Sequence, residues 1–312
     1  MSRSLKAHIL LVIITFIWGA TFVVIKNALA DMSPLLFNAV RMTLASAVLW
    51  VMFRKEMRQL TRDSVKAGAV VGIFLWLGYE FQTTGLKLTS ASKSGFLTGL
   101  AVVLVPIFLA VFFRRRISRW TSFGVACASF GLYLLTVPAT AAGTADWASM
   151  NLGDVLTLGC AVAFAFQIIT IGRATQRHSF QQIATLQVAV CALLMILTVL
   201  FAANSAAPVQ IEQSYAEVTP RLVWALLITA IFATAVAFPV QAWAQQFLPP
   251  THAALVFALE PVFAWVTSYV VLGERLGVRA SIGAVLIMAG VLVSELMGSG
   301  PAELSELREE TK

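Results

Sequence analysis

Three ionisable side chains, Arg41, Glu80 and Glu260, sit inside long apolar stretches of the chain. Placing such a group at the centre of a bilayer costs roughly 2.5–3.5 kcal/mol, so each needs either a structural partner or a use. Arg41 falls one turn after Asn38, and a helix presents this guanidinium and amide on one face, a pair suited to holding a carboxylate. The competing role for Arg41 is to snorkel to the interface or to pair with an acid. Tyr79, Gln82 and Thr83 share a helical face, with Glu80 beside them. Gln241 occupies the place of Gln82 in a second copy of the segment, flanked by Phe238 and Pro239. Paired amides on facing helices offer donors and acceptors to a neutral polar or zwitterionic solute; otherwise they act as hydrogen-bond glue between helices. Trp18, Thr21 and Phe22 form an aromatic and polar face that recurs, at an offset of 146 residues, in Phe164 and Gln167.

Glu260 lies about nine residues into its apolar run, roughly 13 Å from its start at a helical rise of 1.5 Å per residue, and so near mid-membrane. A carboxylate at that depth can take up and release a proton, which coupling to a proton gradient requires. Pro261 removes the N–H that would bond the Phe257 carbonyl and makes a hinge there. Glu260 therefore either carries a proton or braces this distorted segment, with Glu80 as the next coupling candidate.

Other chemistry lacks support. No His-Glu-x-x-His, Gly-x-Ser-x-Gly or P-loop occurs, so metalloprotease, serine-hydrolase and ATP-driven activities have no motif, and the reading is a non-enzyme without cofactor. Cys127, Cys160 and Cys191 lie singly in apolar runs, and His8, His178 and His252 are scattered at helix ends, which suggests neither a disulfide framework nor a metal site.

These residues are positioned by a duplication. Tyr79 to Gly131 is written again 159 residues later as Phe238 to Gly290, with Gln82 on Gln241, Leu100 on Leu259, Gly124 on Gly283 and Gly131 on Gly290. At 59% hydrophobic and 12% charged residues, with a mean hydropathy of +0.85, the 312-residue chain is an integral membrane protein. Its formal charge of +7 reflects loop Lys and Arg, not nucleic-acid binding. Ten apolar runs, at 7–29, 35–53, 67–87, 91–113, 120–138, 152–172, 181–202, 221–246, 251–272 and 277–297, are expected to be membrane-spanning helices. The first has no small-residue cleavage site and reads as a retained helix.

Arg54, Lys55, Arg58, Arg62 and Lys66 follow the second run and Arg114, Arg115, Arg116 and Arg119 the fourth, which places those loops and both termini in the cytoplasm. Five helices per copy is odd, so the copies insert with opposite orientation: residues 1–138 form the first repeat, 139–151 a linker, 152–298 the second repeat and 299–312 a cytoplasmic tail. Gly95 and Gly99, Gly124 and Gly131, and Gly283 and Gly290 mark close helix packing, within the chain or in a weak homodimer.

With Trp18-Gly19, Arg41, Glu260-Pro261 and Gly273 to Arg275 in this order, the chain resembles the drug/metabolite transporter superfamily and, within it, the ten-helix EamA family. The resemblance implies an all-α secondary transporter of the bacterial inner membrane that moves amino acids, related metabolites or drugs, commonly outward. The cavity is expected between helices one to four and six to nine, buttressed by the fifth and tenth. Phe164 stands where many relatives have a tryptophan. The expected function is export of an amino-acid-like metabolite; the alternative is broad efflux of amphipathic cationic drugs.

Overall fold

The computed structural model describes residues 2–88, 91–115, 117–136, 151–204, 216–272 and 277–297. Most of the 139–151 linker and of the 203–220 loop, Arg116, the Gly273 to Arg275 motif and the tail lie outside the described residues. Within them every element is helical, and the only bridge is an isolated one between Met32 and Ala216. The elements are α1 (Arg3–Ala28), α2 (Pro34–Met52), the single turn α3 (Arg54–Met57), α4 (Arg62–Leu88), α5 (Ala91–Gly99), α6 (Ala101–Phe113) and α7 (Arg119–Thr136). They continue as α8 (Leu152–Arg177), α9 (Phe180–Asn204), α10 (Pro220–Ala230), a π-helical segment (Ile231–Val236), α11 (Ala237–Ala244), α12 (Pro250–Phe257), α13 (Glu260–Leu272) and α14 (Val278–Met297).

Local chemistry sets the starts. Proline opens α2, α10 and α12, where its missing N–H costs nothing. Asn151 and Asp154 form a reciprocal capping box on α8, and the Thr219 hydroxyl accepts from Leu222 N on α10. Among the described residues seven helical stretches are long and apolar enough to cross a membrane: Arg3–Thr21, Pro34–Met52, Arg62–Leu86, Phe96–Phe113, Leu152–Arg177, Phe180–Ala202 and Pro220–Ala244; Val278–Ser294 is a shorter apolar helix.

Three of the ten apolar runs expected to be helices are interrupted. The 91–113 run breaks at Leu100, beside Gly99. The 251–272 run breaks between Phe257 and Glu260, where Pro261 cannot donate to the Phe257 carbonyl. The 221–246 run widens into the π segment just before Pro239, which has no N–H for the Ala235 carbonyl. Two of these breaks are copies of one another. Ala91 and Phe113, the ends of the α5–α6 pair, lie 159 residues before Pro250 and Leu272, the ends of the α12–α13 pair.

Small residues bring the helices together. A Cβ on Gly124 would sit 2.5 Å from the Gly290 carbonyl oxygen, and one on Gly131 would sit 2.6 Å from that of Gly283. The contacts run in opposite sequence directions, so α7 and α14 pack antiparallel, with Gly124 meeting the repeat counterpart of Gly131 and Gly131 meeting that of Gly124. Gly99 meets Leu132 of α7, so these small-residue faces are buried inside the chain. Gly78 and Gly85 on α4 take up Phe164 and Thr157 of α8, and Gly19 on α1 lies against the Glu260 carbonyl of α13. These close crossings bring α1, α2, α4, α8 and the π segment around one buried polar centre.

Candidate functional site: a buried guanidinium and an amide cluster

Arg41 is 2% exposed and is held on three sides by neutral acceptors. Its Nε donates to Thr234 Oγ1 at 2.9 Å, and its Nη2 donates to the Tyr79 hydroxyl at 3.3 Å and the Ala233 carbonyl at 3.5 Å. The guanidinium also lies 5.2 Å from the Tyr79 ring centroid. Asn38, one turn before it, donates to Thr83 Oγ1 at 3.3 Å, and Thr83 donates to its own helix at the Tyr79 carbonyl at 2.7 Å. The expected α2 and α4 residues Asn38, Arg41, Tyr79 and Thr83 therefore meet. Among the described residues no carboxylate lies within ion-pair distance of Arg41, and its hydrogen-bond partners are all neutral.

The partners on the far side come from the π segment. Trp18 Nε1 donates to the Ala233 carbonyl at 2.9 Å, so the first-half residues Trp18 and Arg41 converge on one oxygen. Thr234 Oγ1 donates to the Thr229 carbonyl five residues back, following the wider turn. Aromatic rings close around the centre: Trp18 packs against Phe257 at 5.2 Å and Phe238 at 5.9 Å, and Tyr79 meets Phe164 edge-on at 5.6 Å. Thr21 is buried and spends its hydroxyl on the Trp18 carbonyl of its own helix.

The amides assemble differently from the expected Gln82–Gln241 pair. Gln241 exchanges hydrogen bonds with Gln167, donating at 3.2 Å and accepting at 3.5 Å. Gln167 also donates to Gln187 at 3.0 Å, Gln241 donates to Gln245 at 3.3 Å, and Gln245 donates to the Ile168 carbonyl at 2.9 Å. All four are buried, between α8, α9 and α11, while Gln82 is half-buried on α4 and outside the cluster. The packing of α4 is the physical reason: Gly78 and Gly85 seat side chains of α8, and α4 packs mainly against α8 and α9.

A family model described as the EamA-like transporter family matches residues 5–137 and 151–296. The chain belongs to the EamA-like transporter family. An uncharacterized transporter of Archaeoglobus fulgidus is 33% identical over 294 residues, covering 94% of this chain and 87% of that protein. A probable amino-acid metabolite efflux pump of Salmonella typhimurium is 28% identical over 305 residues, covering 94% and 95% of the two chains. One solved crystal structure covers 94% of this chain and 97% of its own, with a TM-score of 0.74 and 19% identity, and so shares the fold.

In this EamA-family transporter the two acids diverge. Glu260, half-buried at the start of α13, forms no hydrogen bond or ion pair among the described residues. Glu80 is buried and accepts from Trp76 Nε1 at 3.2 Å, an indole that also faces Thr198 of α9, so it belongs to the α4–α9 contact. Sequence reasoning missed Gln187, Gln245, Ala233, Thr234 and Phe257. Gln187 had a signal, since it lies at the same offset of 146 from Arg41 that joins Trp18 to Phe164 and Thr21 to Gln167. Another missed contact closes one end of the bundle. Asp31, in the α1–α2 turn, accepts from Thr219 Oγ1 at 2.6 Å and Arg221 Nε at 2.9 Å, and is also bonded to Arg221 Nη2. Glu217 N donates to the Asp31 carbonyl at 2.7 Å.

Proposed function

We propose that the protein is a secondary carrier that exports an amino acid or amino-acid-like solute by alternating access. The observation that carries the reading is Arg41, a buried guanidinium oriented by Thr234, Tyr79 and Ala233 with no carboxylate beside it among the described residues. A substrate carboxylate could pair with this guanidinium, and bidentate pairing gives both energy and orientation. The relative described as a probable amino-acid metabolite efflux pump points the same way.

The proposed architecture has ten crossings in two inverted halves, residues 1–138 and 152–298, with both termini cytoplasmic, in a bacterial inner membrane. The equivalent interruptions of α5–α6 and α12–α13 and the reciprocal, antiparallel glycine contacts of α7 and α14 support it. Because the small-residue faces are occupied within the chain, a monomer is the favoured state. Movement would occur where the helices are already interrupted. The π segment separates α10, tied to the first half through Asp31, from α11, tied to α8 and α9 through the glutamines. Opening at the Asp31 end then requires Arg221 to leave Asp31. Glu260, beside the α12–α13 interruption, is the proposed proton carrier.

A second reading, broad efflux of amphipathic cationic drugs, is favoured by Glu260, which has no ion-pair partner among the described residues and starts α13 three residues after Phe257, whose ring packs on Trp18. Cells overproducing the protein separate the two. Resistance to toxic amino-acid analogues is expected, whereas protection against lipophilic cationic dyes alone would favour drug efflux.

A further inference from the structure

Between α2 and α9 a groove of about 360 Å³ opens sideways, walled by Thr43, Ser46 and Trp50 on α2 and by Ala189, Ala192 and Leu193 on α9. Both helices are long and apolar enough to cross a bilayer, so the groove faces lipid tails. Small side chains leave the space unfilled. Thr43 makes no polar demand on an occupant, because its hydroxyl is bonded to the Ala39 carbonyl. Trp50 is 48% exposed at the end of the groove nearest α3, two residues before the end of the apolar Pro34–Met52 stretch, and amphipathic rings near the ends of such helices mark the membrane interface.

One turn beyond Trp50 the chain turns into α3, and Arg54, Lys55 and Arg58 stand exposed there, followed by the exposed Arg62 and Lys66. Glu56 and Asp63 are the only acids in the segment, and no ion pair among the described residues engages these five cations. The basic turn is fixed beside the groove. Gln182 of α9 donates to the Glu56 carbonyl at 2.9 Å and the Gln59 carbonyl at 3.1 Å, and Phe53 meets Phe180 edge-on at 6.4 Å. The positive-inside rule accounts for cations in this loop, but not for an apolar groove beneath them or for the clamp that holds them over it.

We infer that this face binds an anionic phospholipid, with one acyl chain in the α2–α9 groove and the phosphate at Arg54, Lys55 and Arg58. A fixed, uncompensated positive surface above an apolar slot is complementary to an anionic head joined to a hydrocarbon tail.

Native mass spectrometry of the full chain in detergent, with phosphatidylglycerol or phosphatidylethanolamine added, tests it. The protein should retain phosphatidylglycerol preferentially. Replacing Arg54, Lys55 and Arg58 together with Gln should lower that preference at least about tenfold, since each basic side chain adds to the attraction of an anionic headgroup. Arg54→Lys with Arg58→Lys should keep it. Ala192→Phe, which fills the groove, should also lower it, and Ala189→Leu provides a second groove-filling variant should the first fail to fold. Equal retention of the two lipids overturns the inference. So does a preference untouched by both groove variants, or a dimer of the parent that Ala192→Phe dissociates, which would make a second copy the occupant.

Discussion

Arg41 donates from Nε to the hydroxyl of Thr234, 2.9 Å away in space and 193 residues along the chain. The bond ties α2 to the π segment, and Trp18 of α1 reaches the neighbouring Ala233 carbonyl at 2.9 Å. Two helices near the N-terminus are thus docked on the one segment, among the described residues, whose helical ladder is widened. A π turn supplies acceptors that a regular helix would close on itself, which is why such segments recur at functional sites. The guanidinium is consequently held in one orientation before any ligand arrives.

The amide cluster gives an asymmetric prediction. Among the described residues Gln187 Nε2 is buried without a partner, while its Oε1 accepts from Gln167. Gln187→Leu deletes that unsatisfied donor together with one bond, so its stability cost should stay within about 1 kcal/mol. Gln241→Leu leaves the Gln167 and Gln245 oxygens without their Gln241 donor and should cost about 1–3 kcal/mol. Denaturation midpoints of the two purified variants check the order, and a larger loss for Gln187→Leu would contradict it.

The α7–α14 crossing allows almost no extra volume. A Cβ on Gly131 would lie 2.6 Å from the Gly283 oxygen and 2.8 Å from Ile287 N, both main-chain atoms that cannot swing away. Gly131→Val should therefore lower stability by about 1–3 kcal/mol or more through overpacking. The check is thermal unfolding in detergent, where an unchanged midpoint would mean that the two helices do not cross at these glycines.

Asp31 predicts a pH dependence. Hydrogen bonds from Arg221 and then Thr219 hold its carboxyl below the ordinary aspartate value. A group lowered on folding contributes its stability fully above its unfolded value, about pH 4, and loses it as pH falls through the lower folded value. Asp31→Asn should therefore unfold at lower temperature at neutral pH and converge with the parent in strong acid. Midpoints measured from about pH 7 down to about pH 3 test this; parallel curves would exclude the contact as their source.

Much of this framework was legible because apolar run length and the 159-residue repeat are properties of sequence alone. The α7–α14 glycine faces follow from it. What was not legible depends on which helices touch. Gln82 and Gln241 are equivalent in the repeat, yet equivalence places residues at related positions and not in contact, and the partner of Gln241 proved to be Gln167. The π segment was equally hidden: Pro239 announces a lost hydrogen bond, but not whether a helix kinks, breaks or widens. Thr234 and Ala233 became Arg41 partners only through that widening. The Phe257–Glu260 break was legible, since Pro261 names the carbonyl it abandons.

Proton coupling through Glu260 is testable without touching Arg41. Glu260→Gln should insert and unfold at the parent's temperature and still bind substrate, but it should lose transport driven by a pH gradient in proteoliposomes. Normal transport with the parent's pH dependence would remove Glu260 from the coupling role and turn attention to Glu80.

Carboxylate recognition by Arg41 is tested most directly by binding. A thermal-shift screen of free amino acids against the purified protein identifies a ligand, whose affinity is then compared by calorimetry with that of its carboxamide, in the parent and in Arg41→Gln. The parent should favour the carboxylate at least about tenfold, as a charge-assisted bidentate pair implies, and Arg41→Gln should bind both forms equally. Equal affinities in the parent, or a preference that survives in a folded Arg41→Gln, would contradict the account.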